Sequence, residues 1–211
     1  KLLYKKKSHV FKGAVPSKIF KYEAKTLCKE KFGIKNNYNF FSLSRLVPKK
    51  NIELCIRAFA EFATKDKDVN LYIGGTGHQK SYLEDLVIKL GIKNRIKFLG
   101  YIKEDELWDH ILLFDTFINL DVADFNLTFF EALCFDKKII VSADNELDED
   151  LLKTGLIYPV KPTIEKVALK MEEVVKNQNN KIFQQNRDLK KKFTYEYNFN
   201  KVLKRLNNHD D

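Results

Sequence analysis

Cysteine is scarce in this chain of 211 residues, which contains only Cys28, Cys55 and Cys134. Three is an odd number, and the spacings match no metal-ligand motif, so neither a disulfide framework nor a zinc site is expected. All three cysteines lie in helix-like patterns. We therefore predict buried thiols in a reducing compartment, which indicates the cytoplasm.

Long apolar runs are also missing. No stretch approaches the roughly 20 residues that a membrane-spanning helix needs, and no secretory apolar segment precedes Val10. Because the chain begins with Lys1 and not with methionine, we expect a piece of a longer polypeptide. With 44% hydrophobic and 32% charged residues, it can bury a sizeable core as one domain.

The net charge of +9 permits attraction to phosphate groups, anionic membrane surfaces or nucleic acid. Lysine and asparagine recur along the whole chain, so a general compositional bias explains much of this excess. Local lysine clusters lie at residues 5–7 and 190–192, and such clusters are typical of solvated faces. We find no nucleic-acid motif and no interleaving of aromatic and basic residues, so no nucleic-acid partner is expected.

Strand-like and helical patterns alternate along the chain, and no internal repeat is found. The strand-like runs cover residues 38–43, 69–73, 95–99, 116–120, 138–142 and 156–160. Apolar residues at helical spacing cover residues 51–65, 80–90, 105–114, 127–135 and 163–176. This alternation predicts an α/β fold with a doubly wound parallel sheet, Rossmann-like, and helices on both faces.

A polar stretch at residues 177–180 ends the alternation. Two further helices are predicted at 182–193 and 197–206, as a C-terminal helical extension packed outside the sheet. We therefore divide the chain into a Rossmann-like nucleotide-binding part at 1–178 and its extension at 179–211.

A basic loop follows the first predicted strand. Arg45 and Lys50 lie between that strand and the next helix, and a parallel sheet binds ligands in the crevice beyond the carboxyl ends of its strands. Arginine offers a planar fork of donors and lysine a mobile point charge, so the pair suits a diphosphate. The alternative is a solvated basic turn in a lysine-rich protein.

A second segment of interest opens the helix predicted at 127–135. Asn126 is a favourable N-cap residue, and the first backbone N–H groups, from Leu127 and Thr128 onward, lack partners within the helix, so an anion can bind there. Glu131 falls one turn inside this otherwise apolar helix, where a carboxylate needs hydrogen-bond donors. Ribose hydroxyls would serve. Alternatively, Glu131 only complements the helix dipole.

Other residues allow two readings each. Gly75 and Gly77, after the second strand, would let the backbone approach a ligand, or they form an ordinary tight turn. His78 could donate to a phosphate or a sugar, or it is simply an exposed loop residue. Tyr101 could stack on a base or pack in the core. Trp108 fits helix packing, and we assign it no chemistry.

In order and spacing, these motifs resemble the C-terminal, donor-binding domain of GT-B fold glycosyltransferases. The resemblance covers about residues 8–207 and is to the large retaining group that builds capsules, lipopolysaccharides and glycolipids. Five segments carry the resemblance: an entry segment at 10–20, a diphosphate loop at 44–51, a glycine loop at 74–78, a base-binding segment at 98–102 and a helix start at 125–133.

This resemblance implies a domain that binds a nucleoside-diphosphate sugar for retaining transfer of the sugar to a glycan or lipid acceptor. Arg45, Lys50 and the helix start would stabilise the leaving diphosphate, Glu131 would hold the ribose, and main-chain groups near Tyr101 and Ile102 would meet the nucleobase. The residues expected to bind the donor beside the three catalytic ones are Gly75, Gly77, Tyr101, Ile102, Asp124, Asn126, Leu127 and Thr128.

The same resemblance implies metal-independent transfer without a cofactor, in which the nucleotide sugar is the donor substrate. It also implies an N-terminal domain beyond this chain, because GT-B enzymes place the reaction in a cleft between two Rossmann-like domains. The acceptor would bind through that domain, and this chain alone would bind the donor and transfer nothing. Peripheral association with the inner face of a membrane is left open beside the cytoplasmic location.

Two positions depart from the family pattern. The family commonly carries two glutamates separated by seven residues; the second corresponds to Glu131, but the first falls on Ala123. That carboxylate normally meets the donor sugar, so Asp121 or Asp124 replaces it, or the sugar is held differently, or transfer activity is lost. The glycine before the helix is replaced by Asn126, which tolerates unusual backbone angles.

Two functions of other classes compete with the donor-binding domain. One is a noncatalytic GT-B-like domain that binds or regulates a partner, which the loss at Ala123 favours. The other is a basic module for nucleic acid or a membrane surface, which only the net charge favours.

Overall fold

A parallel sheet of six strands forms the centre of the described part of the molecule. The computed structural model describes residues 15–24, 29, 33–34, 38–121, 127–145, 147, 149–177 and 187–207. The strands are β1 (Tyr38–Leu43), β2 (Val69–Gly74), β3 (Ile96–Gly100), β4 (Thr116–Asn119), β5 (Lys138–Ser142) and β6 (Ile157–Val160). Their order is β3-β2-β1-β4-β5-β6, and all neighbours are parallel. This is the doubly wound arrangement that the sequence predicts.

Helices connect the strands and continue beyond the last one. They are α1 (Ile52–Ala63), α2 (Lys80–Lys89), α3 (Glu104–Leu113), α4 (Leu127–Cys134), α5 (Glu149–Lys153), α6 (Ile164–Lys176), α7 (Arg187–Lys191) and α8 (Tyr195–Asn207). Short 3-10 helices lie at Ser17–Lys21 and Pro48–Lys50. The four helices predicted between the strands and the one predicted after the last strand are confirmed to within about two residues, whereas the single-turn α5 was not predicted. None of the described helices has the length and apolar character needed to cross a bilayer.

Apolar side chains on both faces hold the sheet between two layers of helices. Phe40 packs edge-on against Phe59 and Phe62 of α1, with ring centroids 6.3 and 6.0 Å apart. Its neighbour Phe41 points to the opposite face and stacks on Phe114, just after α3, at 4.3 Å. The first face carries α1, α2 and α6, and the second carries α3, α4 and α5. Because both faces are buried, the strands read as nearly continuous apolar runs.

The C-terminal extension packs on the face that carries α4. Phe193 is 7% exposed and joins the apolar cluster there, and Thr194 forms a parallel bridge with Val15. Lys190 is 4% exposed and donates to Asp136, which follows α4. The expectation of a solvated face at residues 190–192 is therefore wrong for Lys190, because its ammonium pairs with a carboxylate while its stem is buried.

Two cysteines lie among the described residues, Cys55 in α1 and Cys134 in α4, and both are buried and free as predicted. Burial raises the pKa of each thiol to about 12, so both are neutral at physiological pH. Cys28 lies outside the described residues, as do residues 1–14, which include the first five residues of the predicted entry segment.

Candidate functional site

The strand order reverses between β1 and β4, at the centre of the sheet. Helix α1, which follows β1, packs on one face, and α4, which follows β4, packs on the other. The two helices therefore lie on opposite sides of the carboxyl ends of these neighbouring strands. Doubly wound sheets bind ligands at this position. Both segments singled out in the sequence, the loop after β1 and the start of α4, border it.

One cavity of about 430 Å³ lies in a crevice at this position, and we call it the cation cavity. Its walls are Leu43, Ser44, Arg45, Lys50, Gly75, Thr76, Tyr101 and Thr128. Five residues predicted to contact the donor, from four separate segments, thus meet around one space. Arg45 and Tyr101 are exposed, whereas Lys50 and Thr128 are buried.

Lys50 is only 6% exposed, and its ammonium donates to the buried carboxylate of Asp121. Asn51 follows with a left-handed backbone, at φ 52°, which turns the chain into α1. The Asn51 side-chain amide donates to the carbonyl of Leu120 at 2.9 Å. An ion pair and a hydrogen bond therefore tie the loop after β1 to the end of β4. One cation of the cavity already faces a negative charge.

Glycine is required after β2 because two loops pack backbone against backbone. A Cβ atom on Gly75, whose φ is +111°, would lie 1.9 Å from the carbonyl oxygen of Ser44. On Gly77 it would lie 2.3 Å from the carbonyl oxygen of Leu46, whose own N–H donates to the carbonyl of Thr76 at 2.9 Å. Neither a ligand nor a tight turn alone explains these glycines. Gly75 borders the cation cavity, and Gly77 is not one of its walls.

A second cavity, of about 780 Å³, lies on the α3 side of α4, and we call it the carboxylate cavity. Its walls are Val15, Pro16, Lys18, Lys21, Tyr22, Glu23, Glu104, Asp105, Trp108, Leu127, Glu131 and Tyr195. Leu127 lines this cavity and the next residue, Thr128, lines the cation cavity. The two cavities therefore flank the first turn of α4, and the predicted cations and Glu131 face different cavities.

Glu131 is held by Trp108 of α3, whose indole Nε1 donates to Glu131 Oε1 at 2.7 Å. The other oxygen, Oε2, is buried and has no hydrogen-bond partner within the described part of the chain. Burial raises the pKa of Glu131, the Trp108 hydrogen bond lowers it, and the charge of Glu104 raises it. An unpartnered buried acceptor at a cavity wall is suited to a ligand hydroxyl.

Packing fixes the Trp108 ring. Tyr22 meets it edge-on, with centroids 4.9 Å apart, and Phe135 does so at 5.8 Å. The Tyr22 hydroxyl donates to Asp109 at 2.7 Å, next to Trp108 in the chain. No pattern in the sequence indicates the contact between Trp108 and Glu131, because only the packing of α3 against α4 brings the two together.

The other predicted site residues divide into described and undescribed ones. Leu127 is 53% exposed, and the partly buried Ile102 side chain packs against the apolar cluster of the second face, next to Gly74. Asp121, one of the two aspartates considered in place of the missing glutamate, is engaged by Lys50. Ala123, Asp124 and Asn126 lie outside the described residues.

The arrangement suits an elongated ligand with an anionic group near Arg45 and Lys50 and hydroxyl donors near Glu131. In the described ranges, no group of three or more histidine, cysteine, aspartate or glutamate side chains is arranged to hold a metal ion. The fold and the crevice together define a doubly wound α/β domain with a cavity at the reversal of strand order. Within that class, the chain belongs to the glycosyl transferases group 1 family, whose model matches residues 25–193.

Individual relatives agree with this assignment. The chain is 27% identical over 145 residues to the GDP-mannose-dependent alpha-(1-6)-phosphatidylinositol monomannoside mannosyltransferase of Mycolicibacterium smegmatis, which covers 64% of this chain and 38% of that protein. A glycosyltransferase structure from Rickettsia africae superposes with a TM-score of 0.75 at 17% identity, over 91% of this chain and 54% of that one. Anabaena HepE, solved with UDP, gives 0.71 at 18%, over 93% and 54%. Each structure thus contains a part with the fold of this chain.

The chain is much shorter than these relatives. It spans between 28% and 38% of the length of the curated relatives it matches and about half of the two structures. The matched part is therefore one portion of a glycosyltransferase.

Proposed function

We propose that this chain is the donor-binding domain of a retaining glycosyltransferase and binds a nucleoside-diphosphate sugar. One observation carries the proposal: Arg45, Lys50, Gly75, Tyr101 and Thr128, predicted from separate motifs, meet around the cation cavity. A general lysine bias does not explain why the two cations of one loop converge with a glycine loop and a helix start. The family assignment supports the same function.

The diphosphate binds in the cation cavity in this proposal. Arg45 donates from the exposed rim, Lys50 acts from the buried floor, and the first turn of α4 offers backbone N–H groups near Thr128. The nucleoside then extends past Leu127 into the carboxylate cavity. There the free oxygen of Glu131 accepts a hydrogen bond from a ribose hydroxyl.

Transfer follows from this placement. The bond between the anomeric carbon and the diphosphate oxygen breaks through an oxocarbenium-like transition state, and the diphosphate leaves with the bonding electrons. Arg45, Lys50 and the helix start stabilise the negative charge that develops on it. The acceptor oxygen bonds to the anomeric carbon with retention, and its proton passes to the leaving diphosphate. Neither a metal ion nor a cofactor has a step in this scheme.

The acceptor is a glycan or a lipid and binds through a second domain beyond this chain. The mannosyltransferase relative is named for a phosphatidylinositol mannoside, and another relative is an alpha-monoglucosyldiacylglycerol synthase. Both relatives are named for lipid molecules. This supports a cytoplasmic enzyme that works peripherally at a membrane. No nucleic acid is required.

The donor sugar contributes little affinity, because Ala123 stands where the family has the carboxylate that meets it. Asp121 is paired with Lys50, so Asp124 is the aspartate left to take over that contact. We expect a nucleoside diphosphate and its sugar derivative to bind within about 1 kcal/mol of each other, or roughly fivefold. If Asp124 makes the contact, Asp124→Ala weakens only the sugar derivative.

A thermal-shift screen of the chain with UDP, GDP, ADP and their sugars tests the proposal. One relative is GDP-mannose-dependent and one structural neighbour was solved with UDP, so both bases belong in the screen. A ligand that binds the folded protein stabilises it by mass action, by about 2.7 kcal/mol when the ligand concentration is one hundred times the Kd. The melting temperature rises accordingly. Nucleoside monophosphates serve as controls. No stabilisation by any diphosphate, or equal stabilisation by inorganic phosphate, contradicts a donor site.

A further inference from the structure

Trp108 is the single tryptophan of the chain, and its indole nitrogen donates to the carboxylate of Glu131, a wall of the carboxylate cavity. We infer that Trp108 is a positioning residue: it binds Glu131 Oε1, fixes the orientation of the carboxylate and leaves Oε2 as the acceptor for a ligand hydroxyl. The identity of that ligand rests on the function proposed above. The action of Trp108 on Glu131 does not depend on it.

The Trp108 indole is a rigid donor that orients its acceptor, the Glu131 carboxylate. An indole has one N–H donor and no acceptor, so its only polar interaction in the ring plane is donation. Tyr22 and Phe135 hold the ring edge-on from two elements, at 4.9 and 5.8 Å. A ring fixed in this way fixes the oxygen it binds. A freely rotating glutamate would have to be ordered by the ligand, at a cost in side-chain entropy.

The same hydrogen bond favours the charged form of Glu131. Burial and the nearby Glu104 charge oppose ionisation, and the Trp108 N–H is the interaction that opposes them. A charged acceptor forms hydrogen bonds roughly twice as strong as a neutral one does. The charged groups that share the cavity with Glu131, and whose titration must be considered, are Lys18, Lys21, Glu23, Glu104 and Asp105.

Trp108→Phe removes the donor and keeps an aromatic ring between Tyr22 and Phe135. Phe135→Leu is the matched control, because it removes a ring contact of Trp108 and keeps the hydrogen bond; Phe135 is not a wall of the cavity. Carbon-13 NMR of labelled glutamate follows the Glu131 carboxyl, which Glu131→Gln assigns. We expect Trp108→Phe to raise the Glu131 pKa further and Phe135→Leu to leave it in place.

Binding provides the second readout. Calorimetry with UDP and GDP should give a Kd about tenfold weaker for Trp108→Phe, which is the order of one hydrogen bond to a charged group. The pH below which affinity falls should also move upward in this variant only. A general loss of packing would weaken binding at every pH and would appear in Phe135→Leu too.

The outcomes separate the two proposals. An unchanged Glu131 titration in Trp108→Phe overturns the positioning role, even when both nucleotides bind. A raised titration without any binding of UDP or GDP to the wild type supports that role and overturns the donor site. If Trp108→Phe does not fold, the fluorescence emission of Trp108 replaces the NMR measurement. The emission of the wild type should change with pH as Glu131 titrates. If the Glu131→Gln variant shows the same change of emission with pH, the inference is overturned.

Discussion

The two cavities beside α4 satisfy their charged side chains in opposite ways. In the cation cavity the ammonium of Lys50 is buried and faces the carboxylate of Asp121, so the charge is matched within the protein. In the carboxylate cavity Glu131 is held through one oxygen, and its other oxygen has no partner in the described structure. Lys50 thus belongs to the framework as well as to the site, whereas Glu131 is left incomplete for a ligand.

This difference separates stability from binding. A side chain matched internally should cost folding free energy when it is replaced, because its buried partner loses its counter-charge. A side chain that lacks a partner should cost binding when it is replaced and relieve the free protein. Arg45, exposed at the rim of the cation cavity, belongs to the binding side of this division.

Lys50→Met is expected to have the largest effect. It keeps most of the stem and removes the ammonium that faces Asp121, whose side chain is only 3% exposed. We expect the free energy of unfolding to fall by about 4 kcal/mol in urea titrations. Lys49→Met, at the exposed neighbour, should change it little, and Asp121→Asn added to Lys50→Met should recover part of the loss. Equal small losses for both lysines would mean that the ion pair contributes nothing.

Gly75→Ala tests the wall shared by the two loops. The new Cβ would lie 1.9 Å from the Ser44 carbonyl oxygen, at a φ of +111°, so strain and clash combine. We expect a loss of about 3 kcal/mol in the free energy of unfolding. Gly100→Ala is the matched control, since Gly100 also has a positive φ, +71°, but no atom lies within 4 Å of the added Cβ.

Gly100→Ala should lower the free energy of unfolding by about 1 kcal/mol, because alanine is strained in a left-handed conformation. The excess at Gly75 therefore measures the contact between the loops after β1 and β2. If both variants lose the same stability, the two loops move apart without a loss of folding free energy. The need for glycine at position 75 would then be attributed to close approach of a ligand.

Arg45→Ala should weaken binding and leave stability unchanged. Its guanidinium is exposed, so the free protein loses no buried contact, while a bound diphosphate loses charge-assisted hydrogen bonds worth about 2 kcal/mol. Calorimetry with UDP and GDP measures this loss, and urea unfolding checks the stability. Lys49→Ala removes the same net charge from the same loop without touching the cation cavity. Matching losses for both would indicate a general effect of net charge.

The frame of the fold could be predicted because both faces of the sheet are buried. Continuous apolar runs such as β5 can only be central strands of a covered sheet, and α6 has apolar residues on one side throughout. The single-turn α5 escaped prediction because five residues give no helical period. Lys190 was misjudged because sequence cannot tell which lysine of a run finds a carboxylate as Asp136 does.

Site residues that belong to a local sequence motif could be predicted. Site residues that come from distant parts of the chain could not. Arg45 and Lys50 lie in the loop after β1, and Gly75 follows β2, so the pairing of these two strands brings them together. The partners Asp121 and Trp108 come from distant parts of the chain and face these residues only after packing. The sequence therefore indicated which groups meet a ligand, while the groups that hold them in position required the structure.

Glu131→Gln is expected to change stability only a little, and in the opposite direction to Lys50→Met and Gly75→Ala. Burial raises the folded-state pKa of Glu131 above its unfolded value, so protonation favours the folded state. That favourable contribution is complete below the unfolded pKa and is lost as the pH rises through the folded pKa. Above the folded-state pKa, the glutamine variant avoids an ionised, incompletely bonded carboxylate, and it should be more stable than the wild type by about 1 kcal/mol.

The difference between the two proteins should shrink as the pH falls through this window, while the variant binds UDP or GDP more weakly. Glu61→Gln, at an exposed position of α1, is the control and should show neither effect. Urea unfolding across the pH range, with calorimetry at neutral pH, measures both. A Glu131→Gln variant that loses stability at neutral pH would mean that Glu131 is matched internally as Lys50 is. The contrast between the two cavities would then disappear.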